Sequence, residues 1–361
     1  MSAVSQFLSS RYTNVQPYRP GLQLHDRPYV KLNANETSMP PSPAVRAVLT
    51  DALIDGLGRY ADPHCLAFRE AVAEVLDLSA EEVFVGNGSD EVLAIAFRTF
   101  FDDETPVAFP DITYNFYRDW CTTFGTPFTE VPLNEDFTVN VRALEAFEGP
   151  VVLVNPNAPT GIALPFEDVE RIVRARPDRL VIVDEAYADY SGETCVPLVK
   201  RYKNLIVVQT MSKSRNLAGA HVGFAVGHKE LIDDMRDIKF STNPFNVSTL
   251  TAAVGIAAMK DTEYLRLCTE AVAKQRDFLA GELQRRRFTV LPSKANFVFT
   301  RPVGLPAAEL CGELQRRGVL VRHYDQPRIT DWLRITVGMP RENEALLDAL
   351  DDCLFEAVGL R

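Results

Sequence analysis

Five runs of this chain are apolar at consecutive positions rather than at alternate ones: EVFVG (82–86), VVLVNP (151–156), LVIVDEAY (180–187), LIVVQT (205–210) and HVGFAVG (221–227). A strand with one wet face alternates apolar and polar residues, whereas a strand buried on both faces has no reason to. Segments with helical spacing separate several of the runs, among them SDEVLAIAFRTF (89–100) and PFEDVERIVRA (165–175). Buried strands alternating with helices predict an α/β fold around a mostly parallel central sheet.

The pattern differs at both ends. Residues 1–38 read as an irregular arm, closed by the proline-rich MPPSP (39–43). From Pro43, AVRAVLTDALI carries apolar residues at helical spacing and predicts one amphipathic helix. After Asp261 a long helical stretch, TEYLRLCTEAVAKQRDFLAGELQRR (262–286), leads into the strands NFVFT, GVLVRH and LRITVG. The expected division is a large domain over 39–260 and a smaller α+β domain over 261–361, which the arm 1–38 joins.

With 361 residues and 46% hydrophobic content the chain can bury a large core. A net charge of −11 argues against a nucleic-acid partner, which needs a positive field, but leaves room for an anionic substrate held by local arginines. The opening MSAVSQFLSS has no basic stretch followed by a sustained apolar run, so no signal peptide is expected, and the blandest stretch, TAAVGIAAM, is too short to span a membrane. Six cysteines without a CxxC pair read as reduced thiols of a cytoplasmic protein. The five histidines form no metal-ligand cluster, so no metal site is expected, and there is no GxxxxGK[ST] loop or clean GxGxxG.

In an open α/β sheet, ligands bind beyond the carboxyl ends of the strands. Four polar groups share that address. Gly86-Asn87-Gly88-Ser89-Asp90 follows one strand and opens a helix, where free amides favour an anion; an ordinary Ser cap is the equal alternative. Asn155-Pro156-Asn157-Ala158-Pro159-Thr160-Gly161 is a rigid turn that either presents an amide to a ligand or only ends a strand. Asp184 and Glu185 follow four apolar residues, so a carboxylate there needs a partner: a protonated ring nitrogen, an arginine or a helix N-terminus. Lys213 lies just past the end of LIVVQT. Most lysines are solvated surface charges, but one beside the crevice, desolvated among cationic groups, has a lowered pKa and forms imines.

In order and spacing these pieces resemble the fold-type-I aminotransferases that depend on pyridoxal 5'-phosphate (PLP), and within them the histidinol-phosphate aminotransferase family. The resemblance covers nearly the whole chain: QPYRPG (16–21), LNANE (32–36), GRY (58–60), GNGSDE (86–91), TYNFY (113–117), NPNAPTG (155–161), VDEAY (183–187), TMSKS (210–214), LAG-x-x-VG (217–223) and LRITVG (333–338). It implies that Lys213 carries the cofactor covalently and moves a proton as acid and base. Asp184 would keep the ring nitrogen protonated, Tyr187 would bond the ring oxygen, and Tyr114 would stack on the ring face. Gly88, Ser89, Asp90 and Ser212 would surround the phosphate. Tyr60 would reach the partner subunit's phosphate, which implies a homodimer. Arg334 would clamp a carboxylate or phosphate, with Arg322, Tyr18 and Asn33 lining the same pocket.

Two positions depart from the family pattern. Ala158 stands directly before Pro-Thr-Gly where an Asn is common, so either Asn157, one residue earlier, or a water bonds the ring oxygen, or Tyr187 holds it alone. His221, eight residues after Lys213, stands where an arginine usually meets the cofactor phosphate, with Arg215 a nearby cation. The activity implied is transamination between L-histidinol phosphate and 2-oxoglutarate, giving imidazole-acetol phosphate and L-glutamate, a step of histidine biosynthesis. An aromatic amino-acid aminotransferase is the nearest alternative, and a PLP decarboxylase of a phosphorylated amino acid is more distant. A PLP-binding regulatory module is disfavoured, because no DNA-binding domain or basic patch accompanies the fold.

Overall fold

The structure, a computed structural model, describes residues 5–13, 15 and 21–357. The first strand, β1 (Val30–Lys31), precedes a seven-stranded sheet of β2 (Val83–Gly86), β3 (Val107–Pro110), β4 (Phe128–Val131), β5 (Val151–Val154), β6 (Val181–Asp184), β7 (Leu205–Thr210) and β8 (Gly223–Gly227) among these residues. The order is β2-β8-β7-β6-β5-β3-β4. Only β8 runs against its neighbours; β7, β6, β5, β3 and β4 are parallel.

The register explains the unbroken apolar runs. Val151 and Leu153 of β5, Val181 and Val183 of β6, and Leu205 and Val207 of β7 enter one core, with Phe68 and Val72 of the helix Leu66–Leu76 and Val254 and Ala257 of the helix Thr249–Lys260. Val152, Val154, Ile182, Ile206 and Val208 point the other way, against Leu93 and Phe97 of the helix Gly88–Phe100 and Met235 of the helix Lys229–Phe240. Both faces are dry, so every side chain of such a strand contributes about 1.5–3 kcal/mol by burial, and a polar residue has no tolerable position until the strand ends.

Beyond the long helix Thr262–Arg285, β9 (Thr289–Val290), β10 (Phe297–Arg301), β11 (Val319–Leu320), β12 (Arg322–His323) and β13 (Leu333–Thr336) complete the strands. An antiparallel sheet runs β12-β13-β10-β9, and β1 pairs in parallel with β11. A separate core joins Leu32, Leu283, Val298, Leu314, Ile335 and Leu350.

Four details depart from expectation. The helix predicted from Pro43 is two, Pro43–Val48 and Asp51–Asp55, because Thr50 caps the second by accepting from the Leu53 amide. GVLVRH is two strands in two sheets: Val319 and Leu320 pair with β1, and Arg322 then crosses to lie opposite Arg334. HVGFAVG forms strand only from Gly223, since His221 has a left-handed backbone (φ 54°). Strands β3 and β4 were not anticipated. VAFP is short and β4 is an edge strand exposed at three of its four residues, so neither shows a long apolar run.

Candidate active site

The ends of β2, β5, β6 and β7 converge on one cleft with about 760 Å³ of unfilled space, part of it open to solvent, within the usual range for a small-molecule site. Gly88, Ser89, Asp90, Tyr114, Asp184, Tyr187, Ser212, Lys213 and His221 all line it.

At one end the helix Gly88–Phe100 begins behind Asn87 without a side-chain cap. The expected alternative, a capping serine, does not occur: Ser89 lies inside the first turn, the Asn87 amide donates to Glu91, and Gly88, Ser89 and Asp90 line the cleft, where free amides of a first turn favour an anion. Two glycines allow this. A Cβ on Gly223 would sit 2.6 Å from the Ser89 nitrogen, so only glycine lets β8 pass so close to the helix start. Gly88 has φ +79°, and a Cβ there would lie 2.7 Å from Cε1 of the His221 ring. His221 therefore packs on Gly88 at the start of the helix and lines the cleft there. Arg215 does not reach it; its guanidinium turns away to the carbonyls of Ala258 and Met259, where it caps the helix Thr249–Lys260.

The floor carries the acid and the base. Asp184, 4% exposed, accepts from Tyr117 Oη at 3.0 Å and from the Ala186 amide at 3.1 Å. Burial pushes its carboxyl up to about 7, against those two hydrogen bonds, which lower it. Glu185 points to the opposite side and is occupied by Thr194, the Cys195 amide and Gln209. The strand period thus assigns only one of the two adjacent acids to the cleft. Removal from water lowers the Lys213 ammonium below its usual range. The Arg334 charge adds to that, while Asp90, Glu36 and Asp184 oppose it. Tyr114 donates to Asp90 Oδ1 at 2.9 Å, and Tyr187, set edge-on to Phe297 at 5.1 Å, closes the side.

Asn157 is not a cleft residue. Its Oδ1 accepts from Thr113, and its Nδ2 donates to the Ile112 carbonyl and to Thr160, so the amide is occupied within the turn. Ala158 takes the place on the wall. What reaches the Tyr187 hydroxyl is Asn35, whose Nδ2 donates at 2.8 Å.

The cleft continues into a second chamber toward Asn33, Arg322, Tyr324 and Arg334. Arg334 Nη2 donates to the Asn33 carbonyl at 2.9 Å, and its Nε is buried with no partner among the described residues. Its Cζ lies 5.5 Å from the Phe297 ring and 5.9 Å from Tyr324, with Arg322 Cζ 5.7 Å from the same Tyr324. Two guanidiniums thus share one aromatic neighbour. Asn33 donates to Leu22 and keeps a buried, unpartnered Oδ1 among the described residues. Tyr18 lies outside the described residues. Tyr60 is not brought in by its own chain: it is 84% exposed and stacks on Phe245 at 4.6 Å.

Tyr117, Asn35 and Tyr324 were missed. Tyr117 and Asn35 lie inside TYNFY and LNANE, but only the three-dimensional hydrogen bonds distinguish them from their neighbours. Tyr324 follows Arg322 in sequence with no signal of its own.

An amine base withdrawn from water, a carboxyl beside it and an open helix N-terminus across one cleft make this a group-transfer site built to hold a phosphorylated ring. The family described as aminotransferase class I and II matches residues 27–350, and the chain belongs to it. Within that class it belongs with the histidinol-phosphate aminotransferases. It is 45% identical to histidinol-phosphate aminotransferase 2 of Gluconobacter oxydans over 97% of this chain and 99% of that one. It is 46% identical to the histidinol-phosphate aminotransferase of Acetobacter pasteurianus over 97% and 99%. In fold it is similar to the Sinorhizobium meliloti histidinol-phosphate aminotransferase solved in complex with pyridoxal-5'-phosphate, with a TM-score of 0.88, 24% identity and full coverage of both chains. The class is PLP-dependent. The residues present fit that group, on the uncapped helix, the Gly88 and Gly223 cradle, and the buried Asp184 carboxyl, which has no ion pair among the described residues.

Proposed function

We propose that this chain is a PLP-dependent transaminase acting on L-histidinol phosphate and 2-oxoglutarate, forming imidazole-acetol phosphate and L-glutamate. The observation that carries the substrate reading is the pair Arg322 and Arg334, both near the Tyr324 ring (5.7 and 5.9 Å) in the chamber that opens onto Lys213. A guanidinium fork suits a phosphate and a carboxylate alike, as an enzyme must that accepts a phosphorylated amine and a dicarboxylate in turn. The family relationship to proteins named histidinol-phosphate aminotransferases supports the same choice.

Gly88, Ser89 and Asp90 with Ser212 and His221 would hold the cofactor phosphate, and Asp184 its ring nitrogen. Tyr187 would face the ring oxygen and Tyr114 the ring. When bound, PLP supplies an electron sink for the substrate α-carbon. Lys213 Nζ would take the proton from that carbon and return it at the cofactor's C4' position, which needs an amine that is neutral near pH 7; burial and Arg334 favour that state. Tyr117 would hold Asp184 in place beneath the ring.

The functional unit we infer is a homodimer in the cytoplasm. Leu49, Ile54, Leu57, Tyr60 and Leu66 are large apolar side chains left exposed in one stretch of the chain, and Phe245, also exposed, stacks on Tyr60. Residues 39–260 serve as the cofactor domain in this reading and 261–361 as the smaller one, joined by the arm 1–38. Six free cysteines agree with a reducing compartment, and no described helix is long and apolar enough to cross a membrane.

The test is a panel of amino donors offered to the loaded enzyme, with conversion to the pyridoxamine form followed by absorbance. Histidinol phosphate should react fastest. Faster reaction with phenylalanine or tyrosine would make it an aromatic aminotransferase, and release of carbon dioxide would make it a decarboxylase.

A further inference from the structure

Asn35 is fixed from three directions. Its own amide donates to Thr336 Oγ1 at 3.0 Å, its carbonyl accepts from Asn296 Nδ2 at 3.0 Å, and its Oδ1 accepts from Thr336 Oγ1 at 3.2 Å. Those bonds decide which way the side-chain amide faces. Thr336 Oγ1 accepts from the Asn35 backbone, and its own proton has no other acceptor among the described residues than the oxygen of the Asn35 amide. The amide nitrogen is left to donate to Tyr187 Oη at 2.8 Å. A phenol oxygen that accepts there sends its own proton elsewhere. Tyr187 is buried and lines the cleft, and burial raises its pKa, so the proton stays on.

From this we infer that Asn35 is a positioning residue that sets the polarity of Tyr187, forcing its hydroxyl to donate into the cleft toward the cofactor's ring oxygen. The inference rests on the cofactor site proposed above. It also accounts for the alanine at 158: with no amide on that wall, a Tyr187 of fixed direction supplies the donor. The turn 33–36 therefore serves both chambers, since the Asn33 carbonyl holds Arg334 while the Asn35 amide directs Tyr187.

Two substitutions separate polarity from shape, and both tolerate the left-handed backbone at this residue (φ 54°). Asn35→Asp keeps the volume and the acceptor for Thr336, but it turns the donor into a carboxylate that draws the Tyr187 proton away from the cleft. Asn35→Gly removes every side-chain contact and leaves the proton free to choose. The readouts are the PLP dissociation constant and the pH midpoint of the bound cofactor's visible absorbance. A donor on the ring oxygen stabilises negative charge there and holds that midpoint down, so Asn35→Asp should raise it by roughly one unit, the equivalent of one charge-assisted hydrogen bond. Its PLP affinity should fall about tenfold, and both effects should exceed those of Asn35→Gly. In a Tyr187→Phe background Asn35→Asp should add almost nothing. An unshifted midpoint in Asn35→Asp, a larger defect in Asn35→Gly, or an Asn35→Asp effect that persists in the Tyr187→Phe background would each overturn the inference. PLP that fails to load the unmodified protein would overturn the cofactor site itself, and this inference with it.

Discussion

The Tyr117 hydroxyl donates at 3.0 Å to Oδ2 of Asp184, and both side chains are buried. That bond lowers the Asp184 pKa, but burial raises it more, and the carboxyl titrates near 7 in the cofactor-free fold. A folded value above the ordinary 3.8 means the folded chain binds a proton that the unfolded chain releases. The stability this contributes is complete below about 3.8 and is lost as pH rises through about 7. Without PLP, Asp184→Asn should therefore melt a few degrees above the unmodified chain at about pH 8, with the difference closing toward about pH 4. With PLP the order should reverse in function: the Asn variant should lose roughly 100-fold or more in turnover, since no anion then holds the ring nitrogen protonated. Melting curves across this pH range and single-turnover rates check the two halves. A flat difference with pH would mean that Asp184 is already ionised in the empty site.

Lys213 should be the one lysine to which PLP becomes fixed on borohydride reduction, located by peptide mapping. Lys239 is also buried with a lowered pKa, but its amine donates to the Pro63 carbonyl, whereas Lys213 combines a lowered pKa with a place in the cleft. Lys213→Ala should cut transamination by about 10²–10⁴-fold, the usual contribution of a positioned acid–base group. An adduct on another lysine would displace the whole site assignment.

The two arginines should separate by substrate. Arg334→Ala should slow both half-reactions by about 10- to 100-fold in kcat/KM, the value of one charge-assisted contact. Arg322→Ala should harm histidinol phosphate at least tenfold more than glutamate. Equal losses with both amines in Arg322→Ala would place Arg322 outside the phosphate contact.

His221 is a cleft-lining side chain over the helix start, with Arg215 committed elsewhere. His221→Arg should tighten PLP binding about tenfold, since a permanent guanidinium fork replaces a smaller donor, and His221→Ala should weaken it. Dissociation constants of the three proteins decide it, and identical values would show that the amides and Ser212 hold the phosphate without it.

Much of this was legible in the sequence for one physical reason: a strand buried on both faces cannot carry polar residues, so Asp184 and Lys213 declare themselves by where the apolar runs stop. The same logic was silent on side-chain direction. Asn157 and Asn35 are equally polar and equally near turns, yet one is occupied by its own loop and the other reaches Tyr187 from 152 positions away. Arg215 and His221 likewise could not be ranked until the carbonyls of Ala258 and Met259 claimed the arginine. The strand Gly223–Gly227 was readable as a strand but not as the antiparallel one, because β7 and β8 are equally apolar.

The bonds from the turn 33–36 to β13 have a consequence for how the protein comes to exist. The Leu32 carbonyl meets the Thr336 amide, and the Asn33 carbonyl meets Arg334, a separation of 301 residues. On a ribosome, the early turn must wait for 301 further residues before the arginine it holds is made. The sheet bearing Lys213 and Asp184 emerges well before that, so a chain interrupted ahead of β13 has its acid and its base but neither Arg334 nor the Thr336 that orients Asn35. Such contacts between distant positions slow folding, and here they make the setting of Arg334 depend on two segments 301 residues apart.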